Sequence, residues 1–352
     1  MFMKILGIET SCDETAASVV EDGNIIHSNC IYSQISKHKP FGGVVPEIAS
    51  RNHVVKLPEI INTSLEQANI SYNHLDAIAV TYGPGLASSL VVGYSSAKAL
   101  SLQLGIPLVG VNHHAGHLYS VFMQDDLIMH DDFFPMISLM VSGGDTSIVL
   151  IKSFGEFDII GSTIDDAAGE ALDKASAILN LGYPGGPIIQ KISEDGDPEF
   201  INFPRGLNNK INGRWMYDYN RDLCFSFSGL KTSLLTFVNK KKLLSEEFKI
   251  NDITASFQQA IVDSLVNRID NALNIYKVKS FACAGGVSLN KLLRKNLKDL
   301  SVKKGIPLLL SPPSLCTDNA AMIAGVAYEM IKKSYFNVPI DVSPSLRLRN
   351  WF

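Results

Sequence analysis

The hydrophobic pattern of the first 130 residues predicts buried strands separated by polar turns and helices. Short apolar runs bounded by turn residues are typical of strands that lie inside a sheet. Such runs occupy residues 5–8, 16–20, 75–80 and 106–111, and segments with helical spacing begin near Ile48 and extend from Ala87 to Leu104. This alternation of strands and helices predicts an α/β unit.

The second half of the chain repeats this order of elements. Residues 134–150 again predict a strand, a turn and a strand, and the turn at 141–147 corresponds to the one at 9–15. The strand at 280–284 and the glycine turn at 285–290 correspond to the strand at 75–80 and its Gly83-Pro84-Gly85 turn. Later, residues 305–308 repeat the Gly-Ile-Pro-Leu sequence of residues 105–108. Two copies of one α/β unit are therefore predicted.

The predicted fold class is α/β, with two lobes and a central cleft. A chain of 352 residues exceeds a comfortable single core. We expect residues 1–130 to form lobe I, residues 131–319 to form lobe II, and residues 320–352 to pack back on lobe I. Loops at the carboxyl ends of parallel strands line the ligand crevice of open α/β sheets. Equivalent loops of the two lobes are therefore expected to line the cleft.

Composition narrows the class of protein. The chain is 46% hydrophobic and 19% charged, its net charge is −4, and no apolar run reaches the length of a membrane span. The N-terminus has no signal-peptide pattern, which favours a cytoplasmic protein without membrane attachment. The five scattered cysteines lack C-x-x-C spacing, so free thiols are expected. The net charge indicates no global affinity for nucleic acid, so RNA contacts would need a local basic face.

A metal site is predicted at the end of the strand at 106–111. Asn112 is a suitable helix N-cap, so His113 and His117 fall four residues apart on one helical face. The alternative is a polar helix start with solvated histidines. Gly116 favours the metal, because a glycine inside a helix costs roughly 1 kcal/mol and leaves backbone beside the pair for a close ligand.

The repeat supplies a third metal ligand. The strand after Gly305 leads to Asp318 just as the strand after Gly105 leads to His113. An ordinary role as an N-cap carboxylate is the alternative for Asp318. Two histidines and one carboxylate with open positions suit iron(II) or zinc.

The motifs of the chain together resemble the TsaD family of tRNA threonylcarbamoyladenosine transferases, formerly described as O-sialoglycoprotein endopeptidases. The resemblance extends from about Lys4 to Tyr328, and the final segment adds nothing to it. The motifs are Glu9–Thr15, Gly42–Ala49, Gly83–Leu86, His113–His117, Val141–Gly144, Asp165–Glu170, Tyr183–Pro187, Phe225–Thr232 and Gly285–Asn290.

The resemblance implies a fold of the actin, Hsp70 and sugar-kinase type, in agreement with the repeat. It also implies a site for one divalent metal, usually iron, on His113, His117 and Asp318. The substrate threonylcarbamoyl-AMP would contact Val141, Ser142, Gly143, Gly144, Asp145, Asp173, Gly186 and Asn290. Asp173 could accept from ribose hydroxyls, and a surface ion pair with Lys174 is its alternative.

The implied reaction transfers the threonylcarbamoyl group to N6 of adenosine 37 in tRNAs that read codons beginning with adenine. Because the donor is already activated, the enzyme mainly orients two reactants and stabilises charge. Asp13 and Glu14 are the candidates for handling the amine proton, and a structural role is the alternative for both. Implied partners are tRNA and proteins of the TsaB and TsaE type.

Two other functions fit parts of the pattern. A metallopeptidase of the zincin type needs a His-Glu-x-x-His helix, and here positions 114 and 115 are His and Ala, so the general base is missing. A kinase or nucleotide-switched scaffold of the same fold would need no His-His-Asp metal site.

Two further features concern charge. The glycine loop of the family usually continues with His or Asn, whereas here Asp145 follows Gly144. A carboxylate beside a phosphate is repelled unless a cation intervenes, so Asp145 must be turned away, protonated, or directed at the metal or one of its waters. We favour the metal. Basic residues concentrate in two regions that could contact tRNA phosphates, with solvated helix faces as the alternative for the first: Lys277, Lys279, Lys291, Arg294, Lys295, Lys298, Lys303 and Lys304, then Arg205, Lys210, Arg214 and Arg221 with Trp215, Tyr217 and Tyr219.

Overall fold

The chain folds into two compact units, seen in a computed structural model that describes residues 2–124, 129–207, 218–245, 247–336 and 338–351. The first unit contains Met1–His130 and Ser311–Phe352, and the second contains Asp131–Leu310. From the sequence, the return of the chain to the first unit is predicted at residue 320. In the structure the first unit resumes at Ser311, directly after the last strand of the second unit, and Ser311 Oγ lies 2.6 Å from Ser120 Oγ of the first unit.

The first unit is built on a five-stranded sheet with the order β3-β2-β1-β4-β5. Its strands are β1 (Lys4–Glu9), β2 (Glu14–Glu21), β3 (Ile25–Ser33), β4 (Ala77–Gly83) and β5 (Leu108–Asn112). Its helices are α1 (Ile35–His38), α2 (Pro46–Gln67), α3 (Ala87–Leu104), α4 (His113–Tyr119) and, from the end of the chain, α10 (Ala321–Lys332). Strands β1, β2 and β3 are antiparallel neighbours, whereas β1, β4 and β5 run parallel.

The second unit has a sheet of the same design, with the order β10-β9-β6-β7-β8. Its strands are β6 (Met136–Val141), β7 (Thr146–Ser153), β8 (Glu156–Ser162), β9 (Ser280–Ala284) and β10 (Leu308–Leu310). Its helices are α5 (Ala168–Ile178), α6 (Gly185–Ser193), α7 (Ser228–Leu243), α8 (Ile250–Ile275) and α9 (Lys291–Lys304). Antiparallel β6-β7-β8 and parallel β6-β9-β10 match the first unit strand for strand.

The predicted duplication is therefore confirmed. The burial of the central strands explains why their sequences are apolar. The central strands are apolar on both faces because helices cover them: Ile5, Leu6 and Ile8 of β1 and Ile137 and Leu139 of β6 are at most 1% exposed. Parallel neighbours need long crossover connections, which α2 and α3 provide in the first unit and α8 and α9 in the second.

The C-terminal segment, residues 338–351, packs on the first unit beside the carboxyl ends of β4 and β5. The Ser343 amide donates to Tyr82 O at 2.7 Å, and the Gly85 amide donates to Pro344 O at 3.0 Å. Asn112 Nδ2 donates to Arg347 O at 3.2 Å. This segment therefore holds the two loops at which the parallel strands of the first unit end.

Two predictions from composition can be compared with the structure. All five cysteines are free thiols, as expected. Among the described residues, no helix combines the length and the apolar character that a bilayer span requires.

Candidate functional site

The histidine motif forms a short helix directly after β5. The Asn112 side chain accepts from the His114 and Ala115 amides at 2.9 and 3.3 Å, so the predicted N-cap is confirmed. His113 and His117 lie one turn apart, and their ring centroids are 4.7 Å from each other. The two imidazoles therefore share one helical face, as their spacing predicts.

Asp318 completes a group of three ligand atoms in the first unit. Its Oδ1 lies 3.1 Å from His117 Nε2 and 3.5 Å from His113 Nε2. One ligand atom from each of the three residues lies within 4.8 Å of the others. The capping role near α10 falls instead to Asn319, whose Oδ1 accepts from the Met322 amide at 3.0 Å.

Charge in this group is balanced by mutual contact. Burial opposes ionisation of Asp318, but His113 and His117 outweigh burial, so the pKa of Asp318 lies well below its usual range. Burial likewise opposes protonation of His113, but Asp318 and Glu9 outweigh it and raise the pKa of His113 well above 6.5. The histidines and Asp318 therefore favour one another's charged forms.

Glu9 belongs to this site, although sequence reasoning did not single it out. Its side chain, at the end of β1, has no exposed surface, and its Oε2 lies 3.0 Å from His113 Nδ1. Burial alone would raise the pKa of Glu9, but the neighbouring His113 lowers it. An acidic residue that ends an otherwise apolar strand is the signal that could have identified Glu9.

The donor set fits a divalent metal. Two imidazoles and one carboxylate converge, which is the set used by iron(II) and zinc sites with open positions. His117 is 1% exposed, its Nδ1 has no hydrogen-bond partner, and its other ring nitrogen faces only Asp318 among its described polar contacts. The ring nitrogen beside Asp318 can therefore serve as the ligand atom of His117.

Two neighbours of the pair behave differently from each other. His114 is not a member of the ligand group; it is half-buried, and burial, then the neighbouring His113 and His117, lower its pKa to about 3. Gly116 was interpreted as room for a ligand, and that interpretation is wrong. A Cβ at Gly116 would lie 2.9 Å from Ile323 Cδ1 and 3.0 Å from Met322 Cγ, so the glycine allows α10 to pack closely.

The turn that carries Asp13 and Glu14 also lies in the first unit, beside the ligand group. Ser11 Oγ lies 3.2 Å from His113 Nδ1, and His53 Nε2 lies 3.0 Å from Cys12 O. Burial, then Asp318 and Asp13, raise the pKa of Glu14 well above its usual range. The turn therefore brings a carboxyl group that can hold a proton close to Asp318.

In the second unit, five of the predicted substrate contacts lie at the end of β6 and in the loop that follows it. The Ser142 amide donates to Asp145 O at 2.8 Å, and the Asp145 amide donates to Ser142 Oγ at 3.1 Å. Gly143 and Gly144 are exposed, and a Cβ on either would meet no atom within 4 Å. The loop therefore closes a tight turn and keeps its tip clear.

Asp173 and Gly186 lie close together, where α5 faces the start of α6. Asp173 Oδ1 accepts from the Gly185 amide at 2.6 Å. A Cβ at Gly185 would lie 2.4 Å from Leu172 O, whereas one at Gly186 would only touch Leu172 Cδ1 at 3.8 Å. Gly185 is therefore needed for packing, and Gly186 is the glycine with room beside it.

Lys174, the alternative ion-pair partner of Asp173, and Asn290, the last predicted substrate contact, also lie in the second unit. Lys174 contacts Asp166 and Glu170, each at 2.8 Å. Asn290 caps α9 by accepting from the Leu293 amide at 3.0 Å, and its Nδ2 donates to Gln258 Oε1 at 2.8 Å. Asn290 is thus fixed by the protein at the end of the Gly285–Leu289 turn.

The first basic region follows α9 and the residues around it. Several of its cations are paired, with Lys291 at 2.8 Å from Glu194 Oε1 and Lys304 next to Asp270. Lys295 and Lys298 are exposed. Of the second region, Lys210, Arg214, Trp215 and Tyr217 lie outside the described residues.

A family model described as "TsaD: tRNA N6-adenosine threonylcarbamoyltransferase" matches residues 25–325. Proteins named tRNA N6-adenosine threonylcarbamoyltransferase are similar over 98% of the chain: one from Clostridium botulinum is 47% identical, and one from Dictyoglomus turgidum is 46% identical. These alignments cover 98% and 99% of the two relatives.

The chain is also similar in fold to solved structures. Full-length HypF superposes with a TM-score of 0.57 at 12% identity, covering 95% of this chain and 47% of that one. Component A of the Acidaminococcus fermentans (R)-2-hydroxyglutaryl-CoA dehydratase superposes with a TM-score of 0.54 at 15% identity, covering 94% and 99%. The predicted actin-like α/β fold is thereby confirmed.

Proposed function

The chain belongs to the TsaD family of tRNA N6-adenosine threonylcarbamoyltransferases, and from this premise we propose how its residues serve tRNA modification. His113, His117 and Asp318 bind one divalent metal, with iron(II) favoured and zinc as the second choice. The donor is threonylcarbamoyl-AMP, and the acceptor is N6 of adenosine 37 in tRNAs that read codons beginning with adenine.

The observation that carries the proposal is the convergence of three ligand atoms within 4.8 Å in the first unit. A bound metal would act as a Lewis acid toward the carbonyl and phosphate oxygens of the donor. The protein contributes the fixed geometry: the Asn112 cap sets the start of α4, and Asn319 ties the loop that carries Asp318.

The second unit binds the adenylate in this proposal. The clear tip of the Val141–Asp145 loop leaves backbone accessible at Gly143 and Gly144, and such backbone suits an anionic phosphate. Gly186 offers the same freedom near the start of α6. Asp173 holds the Gly185 amide beside Gly186, and Asn290 is fixed at the end of the Gly285–Leu289 turn, so we assign the ribose to Asp173 and the adenine to Asn290.

Proton handling falls to the turn of the first unit. As the N6 amine forms its bond to the carbamoyl carbon, the bond from that carbon to the phosphate oxygen breaks, and the amine must lose a proton. Glu14 is the better base because burial and the neighbouring Asp318 and Asp13 raise its pKa, which raises the affinity of its carboxylate for a proton. Asp13 lies next to it and is the second candidate.

The proposal also includes contacts with tRNA and with partner proteins. Lys295 and Lys298 on α9 are exposed cations that suit tRNA phosphates. Partners of the TsaB and TsaE type would act with the chain during turnover. The metallopeptidase is disfavoured because α4 has no glutamate after His113, and a kinase would not use the His-His-Asp group.

A reconstituted reaction tests the proposal. The chain, its partner proteins and unmodified tRNA are incubated with synthetic threonylcarbamoyl-AMP, or with threonine, bicarbonate, ATP and an adenylate-forming enzyme. Nucleoside mass analysis should detect threonylcarbamoyladenosine in both arms. Glu14→Gln should form it at least about 100-fold more slowly with unchanged metal content. Product from the generating system but not from the synthetic adenylate would contradict the assigned donor.

A further inference from the structure

Glu9 is a carboxylate in the interior of the first unit. Its side chain has no exposed surface, and it follows Ile5, Leu6 and Ile8, which are buried hydrophobic residues of the same strand. An ionised group in such a place costs much free energy unless it is paired and hydrogen-bonded. The contacts of Glu9 therefore indicate its role.

Three groups from three parts of the unit contact this carboxylate. The Ser11 amide donates to Oε1 at 2.5 Å, and Thr81 Oγ1 on β4 donates to Oε2 at 2.5 Å. His113 Nδ1 lies 3.0 Å from the same Oε2. An ionised carboxylate only accepts hydrogen bonds, so the Ser11 amide, the Thr81 hydroxyl and His113 Nδ1 all donate to it and hold it in one orientation.

This arrangement determines which nitrogen of His113 carries hydrogen. Both ring nitrogens face a carboxylate, Nδ1 that of Glu9 and Nε2 that of Asp318, whose Oδ1 lies 3.5 Å away. Asp318 belongs to the ligand group and Glu9 does not, so a bound metal would replace hydrogen on Nε2 and leave it on Nδ1. The ring nitrogen on the ligand side is therefore Nε2. A metal-binding histidine commonly donates its other N–H to a carboxylate, which fixes the tautomer and the ring orientation.

We propose that Glu9 is a positioning residue that holds His113 with Nε2 directed toward the metal. The inference rests on the proposed metal site and deepens it. Glu9 also completes the charge of the site, because Glu9 and Asp318 together carry two negative charges against the two positive charges of the ion. The sheet supplies the rigidity, since Glu9 ends β1 and Thr81 lies on the neighbouring strand β4.

Metal titration of matched variants tests this role. Glu9→Gln keeps the shape and removes the charge, and Glu9→Asp keeps the charge but shortens the side chain. We expect both to bind Zn²⁺ and Fe²⁺ about 10- to 100-fold more weakly than the natural chain, with all three ligands present. Thr81→Val is the control, because it removes a partner from the same oxygen without altering the contact with His113, and it should lose less affinity.

A second measurement separates positioning from general stability. Long-range ¹H–¹⁵N spectra of the zinc-loaded chain should give a His113 Nδ1–H signal that moves in Glu9→Gln and stays in Thr81→Val. Equal zinc affinity and an unchanged His113 signal in Glu9→Gln would overturn the role of Glu9. If Glu9→Gln does not fold, Glu9→Asp decides in the same way. Absence of metal binding by the natural chain would instead refute the proposed metal site.

Discussion

Two turns occupy the same place in the two sheets but differ in what fills them. The turn between β1 and β2 is packed with polar groups, and Glu9, Thr10, Ser11 and Asp13 are at most 8% exposed. The turn between β6 and β7 is exposed at Gly143 and Gly144 and has free space beside both. Since the strand order is the same, the fold alone does not decide what each turn can bind.

The difference indicates a division of roles between the two copies. In the first turn, side chains are committed to each other and to His113, so that turn can fix a ligand set in advance. In the second turn, side chains are short or absent at the tip, so backbone is left for an external molecule. Preorganised side chains suit a metal, and accessible backbone suits a phosphate.

The largest expected effect concerns the metal ligands of the first unit. His117→Ala should reduce metal affinity by more than about 100-fold, because second-sphere changes alone cost up to about that factor. His113→Ala and Asp318→Ala should do the same, leaving less than about one metal per chain by elemental analysis.

His114→Ala is the matched control on the same helix. His114 lies outside the ligand group, so its loss should leave the metal content near that of the natural chain. Equal metal loss from His114→Ala would refute the assignment of the ligands and would remove the contrast between the two turns.

Metal affinity should also depend on pH in one direction. A metal ion competes with the proton on His113, and the pKa of His113 is raised well above 6.5. As pH falls below that raised pKa, affinity should drop by about tenfold per pH unit, since one bound proton must be displaced. Titration between neutral and acidic pH measures the slope.

In the metal-free chain, the stability of the folded state should also depend on pH through His113. Protonated His113 stabilises the folded state below its unfolded pKa of about 6.5, and that contribution is lost as pH rises through the raised folded value. Thermal unfolding of His113→Ala should lack this loss of stability at alkaline pH.

In the metal titration, an affinity that stays constant between neutral and acidic pH would show that no proton is exchanged at His113.

Sequence reasoning identified those elements whose pattern is decided locally. Helix α3 (Ala87–Leu104) and strand β9 (Ser280–Ala284) have the bounds that their apolar runs predict. The helix cap at Asn112 was equally local. The role of Asp318 was inferred from the repeat, which is a property of the chain as a whole.

What the sequence could not supply depends on contacts between distant residues. Glu9 appears as the first polar residue of a turn, and only the 104-residue separation closed by its contact with His113 shows its place in the site. Gly116 was misinterpreted for the same reason, because the neighbours that need its missing Cβ, Met322 and Ile323, come from α10.

The second turn can be tested through glycines that differ in their surroundings. A Cβ at Gly169 would lie 2.5 Å from Ser142 O and 2.7 Å from Gly143 Cα, so Gly169→Ala should displace the turn and cost about 1–3 kcal/mol in the free energy of unfolding. Gly144→Ala has free space and should cost less than about 1 kcal/mol.

Adenylate affinity then distinguishes a direct contact with the ligand from an effect on folding stability. If backbone at the tip approaches the phosphate, Gly144→Ala should weaken binding roughly tenfold, about 1.4 kcal/mol, without loss of stability. Calorimetry with a non-hydrolysable adenylate analogue measures this. Unchanged affinity in Gly144→Ala would place the phosphate elsewhere.

A smaller effect is expected at Asn290. Asn290→Ala removes the α9 cap and should cost about 1 kcal/mol in stability, together with a loss of adenylate affinity. Asp173→Ala should also weaken adenylate binding, because Asp173 holds the Gly185 amide beside Gly186. Metal content should stay unchanged in both folded variants. Parallel loss of metal would mean that the two sites are not separate.

The smallest expected effect belongs to Asp145, the carboxylate that departs from the usual family pattern. Ser147 Oγ donates to Asp145 Oδ2 at 2.9 Å, so at least one carboxylate oxygen is engaged within its own hairpin. Asp145→Asn should leave stability intact and lower metal affinity by less than about tenfold, the electrostatic effect of one removed charge in a high effective dielectric. Ser147→Ala keeps the charge and should retain the metal. If Asp145→Asn keeps its metal and binds the adenylate more tightly, the carboxylate is a repulsive neighbour of the phosphate, and the second turn achieves its anion site in spite of Asp145.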